Sequence, residues 1–373
     1  MKVINNTLNI IRGVGAKTLK FLVYIGIGIC SILTSKITIL ILVIALGMAL
    51  VQVSTGFREE VIKKEEEMIY NNEAPSIDYY YDSVKLENYG DNMAITDMIH
   101  CYQDATGIDK LPTNIVDSIK ELENMYSNDS RKFSFLYQDL FSGFTVSYNA
   151  DGAIFTASTI KAPAMIYIYE MASQGKIDLN EKLVYTSNFY HGGSGIIQTK
   201  PYNTEYTIEE LLQYTIYESD NIGYKMLMHR FGRENIYNFW QNKGAKNIFK
   251  HNTIWGYTST NDALLYMREL YQFSKENEEY GAKLLEHFKK AKWKLITDKN
   301  GEYNTANKGG WSNATIHDIA IVFDENPYVL AIMTNLGDGN YKQFFSDTSK
   351  KIGKLHEDYW KYKVDTCSNI KLY

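Results

Sequence analysis

The spacing of apolar positions changes character several times along the chain, and each change marks a different element. Residues 21–53 are nearly all apolar, interrupted by Ser31 and by the Thr34-Ser35-Lys36 step. The cleanest run, 37–53, would reach ~26 Å at ~1.5 Å per residue, the short end of what crosses a hydrocarbon core. Residues 57–70 read as a charged, exposed helix, and the acidic, Tyr-rich stretch that follows to about 111 has no clear period. Over 112–126, Ile115, Ile119, Leu122 and Tyr126 recur at helical spacing behind Thr113 or Asn114 as a cap, which predicts an amphipathic helix. Residues 133–140 and 143–148 alternate like two strands about a turn at 141–143. Helical patterns then run from Ser158 to about 291. Strands are predicted at 292–297, 303–309, 316–324 and 328–334, and a closing helix at 343–362. Helices between two groups of strands predict an antiparallel sheet built from both chain ends, flanked by helices, with an inserted all-helical lobe. That is an α/β (α+β) domain over 112–373.

Charge sharpens the N-terminal reading. Residues 1–58 hold Lys2, Arg12, Lys17, Lys20, Lys36 and Arg58 and no acid, which leaves 33 bases against 44 acids in the other 315 residues, a net of −11. Positive charge on the near side of the apolar run predicts a cytoplasmic N-terminus over 1–36 and a single membrane anchor at 37–54. A stalk or linker at 55–111 would then carry a domain outside the cell membrane. A cleaved signal peptide fits less well, because the apolar stretch is long and no small-residue cleavage site follows it. An acidic domain without a basic patch argues against nucleic acid as a partner. Thirty tyrosines suit a polymeric or ring-bearing ligand, and equally a genome biased toward Tyr, Asn, Ile and Lys. Three cysteines make no disulfide framework, and whether Cys101 pairs with Cys367 stays open. No histidine spacing suits a metal, and no glycine-rich phosphate loop is present, so no cofactor is expected.

Three short motifs carry the candidate chemistry. Ser158-Thr159-Ile160-Lys161 opens a helix and puts a hydroxyl and an amine on one face, where the amine can take the hydroxyl proton. Pro163 is tolerable there only because it lies near the helix start. Ser219-Asp220-Asn221 follows the helix pattern YTIEELLQYTIYE, and Lys308-Gly309-Gly310-Trp311 precedes a strand pair. Singly, each reads more simply as a helix start, a polar cap and a hairpin bulge. Together, in this order and on these elements, they match the Ser-x-x-Lys, Ser-Asp-Asn and Lys-Thr-Gly set of serine β-lactamases and penicillin-binding proteins. His191 in HGGSG reads as part of a cleft-side loop rather than a triad member.

Beyond the motifs the chain resembles the class A β-lactamases of the serine β-lactamase and penicillin-binding D,D-peptidase superfamily. YQDLFSGFTVSYNADGAIFTASTIK is similar to their strand pair and nucleophile helix, HGGSGIIQ with YTIEELLQYTIYESDN to the approach to their second motif, and HDIAIVFDENPYVLAIMT to their last strands. The resemblance covers roughly 112–362. It implies Ser158 as the acylated nucleophile, Lys161 as its base and Ser219 as a proton relay to the leaving nitrogen. It further implies that Asn221 holds the substrate amide and orients Lys161, and that Lys308 attracts a substrate carboxylate. The backbone N–H groups of Ser158 and Trp311 would form the oxyanion hole, with Gly310 letting substrate lie along the strand edge. The substrate so implied is a β-lactam or a peptidoglycan stem peptide.

Two departures stand out. Gly309 occupies the place of the family's hydroxyl residue, which helps bind the substrate carboxylate. Residues 244–258 contain no carboxylate, whereas the family carries there the Glu that activates the deacylating water. Lys246, Lys250 and His251 are the titratable groups on offer, and Glu234 is the nearest preceding acid. Four readings follow: a slow β-lactam hydrolase, a D,D-carboxypeptidase or endopeptidase acting on peptidoglycan, a penicillin-binding sensor that stays acylated, and an inactive wall-docking protein. The intact Ser158, Lys161, Ser219 and Asn221 weigh against the last.

Overall fold

The computed structural model describes residues 77–81, 111–127, 133–249, 253–336 and 340–367. The apolar anchor expected at 37–54, the basic segment before it, most of the 55–111 stretch, Cys101, Lys250 and His251 lie outside the described residues. Among the described residues no helix is long and apolar enough to cross a membrane.

Among the described residues the main sheet has six antiparallel strands. In chain order they are β1 (Ile77–Tyr81), β2 (Phe133–Asp139), β3 (Phe144–Tyr148) and, after two short two-stranded ladders, β8 (Thr305–Trp311), β9 (Ile316–Val322) and β10 (Tyr328–Thr334). The short ladders are β4 (Ile154–Phe155) with β7 (Tyr257–Thr258), and β5 (Lys182–Val184) with β6 (Glu205–Thr207). The spatial order β1-β3-β2-β10-β9-β8 sets the two chain ends side by side at β2 and β10, with Phe133 opposite Thr334 and Asp139 opposite Tyr328. β1 comes from the stretch expected to be a linker. It pairs with β3 in the register Ile77 to Tyr148, a contact that the aperiodic sequence around it does not announce.

Both faces of the sheet are covered. Alternate residues Phe133, Phe135 and Tyr137 of β2 and Leu330 and Ile332 of β10 pack under α1 (Thr113–Ser127) and the C-terminal α8 (Tyr341–Cys367). The intervening Leu136, Ala331 and Met333 join the core of the helical lobe. That lobe comprises α2 (Lys161–Ser173), α3 (Ile208–Tyr217), α4 (Asn221–Phe231), α5 (Arg233–Asn242), α6 (Thr260–Glu276) and α7 (Gly281–Lys289). α2 is apolar around nearly its whole circumference and lies at the centre of the lobe, as such a helix must. Trp240 Nε1 ties α5 to it by donating to Pro163 O at 2.9 Å.

The predicted strand at 292–297 does not form. Its backbone N–H groups go elsewhere: Leu295 N and Ile296 N both donate to the buried Asp318 carboxylate, at 2.7 and 3.0 Å, Lys292 N to Tyr217 O and Thr297 N to Ser349 Oγ. An alternating pattern cannot distinguish a ladder from an edge segment held by one carboxylate. The following strand starts two residues later than predicted and extends to Trp311, which carries the Lys308 motif wholly onto β8.

One buried histidine fastens the sheet to the segment that precedes α2. His317 Nδ1 accepts from Thr334 N at 3.0 Å, so its proton sits on Nε2, 2.7 Å from Phe155 O. Burial holds its pKa down to about 4. An unfolded histidine titrates near 6.5, so the unfolded chain takes up this proton first and native stability falls as pH drops from 6.5 toward 4, by roughly 3 kcal/mol from this group. We expect His317→Leu to lower stability at pH 7 by about 2–4 kcal/mol, one orphaned buried backbone group at each end. It should also flatten the fall in stability between pH 6.5 and 4, as read by urea unfolding. A variant that keeps the wild-type pH slope would contradict the assignment.

Candidate active site

Ser158 sits in a 3₁₀ turn, Ala157–Ile160, that runs directly into α2, rather than inside the α-helix itself. Ala157 before it has φ 44° and Ser219 has φ 52°, left-handed conformations that cost non-glycine residues about 1–2 kcal/mol each. Surrounding bonds hold both. Thr159 Oγ1 donates to Thr156 O at 2.7 Å, and Thr156 Oγ1 donates to Trp255 O. Asp220, buried, caps α4 through Ile222 N and Gly223 N and also accepts from Ile197 N at 2.8 Å. The turn at Ser219 is thereby fixed to the 191–197 loop. Gly195, φ 112°, is obligatory there, because a Cβ would stand 2.2 Å from the Asp220 carboxylate.

These three segments converge on the amine of Lys161. Its Nζ lies 3.0 Å from Ser158 Oγ, 2.6 Å from Ser219 O, 3.2 Å from Ser219 Oγ and 2.8 Å from Asn221 Oδ1. The residue is fully buried. Desolvation, and then the nearby Lys308 cation, push its pKa well below 10.5, opposed by Asp220. A neutral amine has two N–H donors and one lone pair. The two donors suit Ser219 O and Asn221 Oδ1, which leaves the lone pair for the Ser158 hydroxyl. Lys308, also buried, donates to Ser219 Oγ at 2.9 Å and Gly309 O at 3.0 Å, and burial lowers its pKa to about 7. Ser219 Oγ thus bridges two lysines.

The cleft outside this network holds about 280 Å³ and is lined by Ser158, Ser194, Tyr217, Glu218, Ser219, Lys292, Trp293, Gly309 and Trp311. All seven residues expected from sequence meet here: Ser158, Lys161, Ser219, Asn221, Lys308, Gly310 and Trp311. Asn221 uses one amide hydrogen on Gly192 O at 3.1 Å and keeps a second. His191, on the same loop as Gly192, packs its ring 5.4 Å from that of Trp255, which comes from the segment before β7. A Cβ on Gly310 would lie 3.0 Å from Ser158 N and 2.9 Å from Thr159 N, so only glycine keeps these amides uncovered.

Sequence reasoning missed the aromatic lining. Trp255 and Tyr224 put their rings 5.3 and 5.9 Å from Lys161 Nζ, and Trp293 covers Gly309. No short-range signal marks these side chains, since their place depends on chain segments far apart in sequence. The stretch without carboxylate is held instead from α6, where Asp262 accepts from Lys246 N and Asn247 N at 2.8 and 2.7 Å. Glu234 is exposed and beside Arg233. Among the described residues no group of three His, Cys, Asp or Glu could hold a metal ion.

The model of the beta-lactamase enzyme family matches residues 114–360. No curated protein matches. Among solved structures, PBP-A superposes with a TM-score of 0.60 at 19% identity, covering 65% of this chain and 96% of that one. A PBP-A mutant, solved as its acyl-enzyme complex with penicillin G, gives 0.59 at 21%, covering 66% and 99%. A β-lactamase from Sphaerobacter thermophilus gives 0.55 at 18%, covering 65% and 95%. At these identities the likeness is one of fold.

Gly310→Ala tests the geometry of the strand edge. A methyl group there meets only backbone, Thr156 O, Ser158 N and Thr159 N, so it must push β8 away from the Ser158 turn. Acylation of Ser158 should fall by about 10²-fold or more, the scale of losing an oxyanion donor. Circular dichroism should remain native. Unchanged acylation would show that these amides play no part.

Proposed function

This chain belongs to the beta-lactamase enzyme family and is a serine hydrolase of the β-lactamase and penicillin-binding type, and we propose that Ser158 is its acylated nucleophile. The observation that carries this reading is the buried Lys161 amine, within hydrogen-bond reach of both Ser158 Oγ and Ser219 Oγ. Lys161 takes the Ser158 proton as Oγ bonds to the substrate carbonyl carbon. The oxyanion forms against the N–H groups of Ser158 and Trp311. The carbonyl carbon–nitrogen bond then breaks, and the leaving nitrogen receives the Ser219 proton, replaced from Lys161 or Lys308. Asn221 orients Lys161 and offers its second amide hydrogen to the substrate. The acyl donors are β-lactams or cell-wall peptides.

Release of the acyl group is the slow half. A water attacking the ester needs a base, and rings rather than a carboxylate lie against Lys161. A missing general base costs ~10²–10⁴ in rate, or roughly 3–5 kcal/mol. The same absence favours a second reading, a D,D-peptidase: the leaving fragment of a peptide diffuses away and admits water or an amine, whereas an opened β-lactam stays attached. The positively charged N-terminal segment and the apolar run after it support placing this work on the outer side of the cell membrane, behind a single anchor.

A fluorescent penicillin should label the wild-type protein, and the label should persist for minutes in intact-mass spectra after an unlabelled chase. Ser158→Ala should abolish labelling with the fold intact, and Lys161→Ala should slow it by about 10²-fold or more. Label that survives in Ser158→Ala would overturn the assignment. Rapid steady hydrolysis with no detectable acyl-enzyme would overturn the slow second step.

A further inference from the structure

Trp293 lies on Gly309 as a side chain lies on a missing one. A Cβ built at Gly309 would stand 2.0 Å from Trp293 Cε3 and 2.5 Å from Cζ3. No side chain fits at 309 while the indole is there, so an aromatic surface stands where the resemblance to class A β-lactamases would place a hydroxyl for a substrate carboxylate. Trp293 and Gly309 both line the cleft beside Ser158, together with Tyr217 and the half-exposed Trp311. Three rings therefore wall the part of the cleft next to the strand edge.

The charged groups of that wall do not compensate. Among the described residues that line the cleft Lys292 is the one cation, and its ammonium is hydrogen-bonded to Glu218, which also lines it. Lys308 is buried, with its ammonium directed at Ser219 Oγ and Gly309 O. A carboxylate placed over Gly309 would lose water, meet an indole face and lie near Glu218. Burying an ion without partners is costly. An uncharged group loses little there and gains ring contact.

We propose that Trp293 is a specificity-determining residue that closes the carboxylate subsite, so that the preferred acyl donor carries an uncharged leaving group, such as an internal amide or an ester, rather than a terminal carboxylate. The inference rests on the acylation of Ser158. In the step itself the Ser158 Oγ–carbon bond forms, the carbon–leaving-group bond breaks, and the leaving atom takes the Ser219 proton. Only the flank of the leaving group distinguishes the two kinds of donor.

The test uses two N-acyl-D-alanyl thioesters that differ only in a leaving thiol ending in carboxylate or in carboxamide. Thiol release and acyl-enzyme mass are followed with the whole protein, and the rates are corrected for the uncatalysed reactivity of each thioester. The carboxamide donor should acylate the wild type about tenfold faster or more, as expected when a charged group is left unpaired. Trp293→Ala should shrink that ratio, and adding Gly309→Ser should move it toward the carboxylate donor by about another tenfold. A wild type that prefers the carboxylate donor would overturn the proposal even if neither variant folds. So would a Trp293→Ala protein that is acylated with the wild-type ratio. Absence of label from both donors on the wild type would overturn the Ser158 reading, and this inference with it.

Discussion

A lysine amine taken wholly out of water is favoured as a cation by an opposing charge and as a neutral amine by burial, and at Lys161 burial, followed by the nearby Lys308 cation, pushes toward the second against the pull of Asp220. Among the described residues no carboxylate bonds to Lys161 Nζ; its hydrogen-bond partners are two hydroxyls, one backbone carbonyl and one side-chain amide. Those neutral partners hold the amine in place without restoring its positive charge, and Lys308 nearby opposes that charge further. Burial thus favours the unprotonated amine, the form that the proposed activation of Ser158 requires. Every segment supplying a partner has to be fixed to within a fraction of an ångström for this to work.

The rest of the fold can be read as the means of fixing them. α2 carries Lys161 through the middle of the helical lobe, where nearly every side chain is packed, and the 3₁₀ turn that leads into it carries Ser158. Asp220 ties the Ser219 turn to the 191–197 loop, and His317 ties the approach to Ser158 to the sheet. Asp318, next to His317, accepts from Leu295 N, Ile296 N and Asn307 Nδ2, and so sets the edge segment that carries Trp293. Left-handed backbone at Ala157 and Ser219 is the strain this arrangement sustains, and it is stored at the reacting groups, as is common in enzymes.

The architecture and the polar machinery were legible in the sequence because both rest on local pattern. Alternation over 133–140, a strand-like apolar run over 328–334 and helical spacing over 112–126 placed elements whose ends agree with the observed ones to within a residue or so. Lys161, Ser219, Asn221 and Lys308, which the structure brings together, could be singled out because they stand in short motifs at fixed places on those elements. Two things were hidden. β1 lies in a stretch without a period, and its pairing with β3 is a long-range event. Trp255, Tyr224 and Trp293 reach the site by tertiary packing, which leaves no trace in neighbouring residues. Residues 292–297 show the limit from the other side: a strand-like pattern was satisfied by a buried aspartate instead of a ladder.

The central claim, that burial keeps Lys161 neutral so that it can serve as the base, is tested most directly by the pH dependence of acylation. Single-turnover rates with a β-lactam in excess should be measured across the stable pH range and compared with Lys161→Arg. The account predicts a rate that rises with pH through a group titrating well below 10.5, because the active form is the unprotonated one, and a rising limb that is lost in the variant. A rate that rises only near the ordinary lysine value, or the same limb in Lys161→Arg, would contradict it.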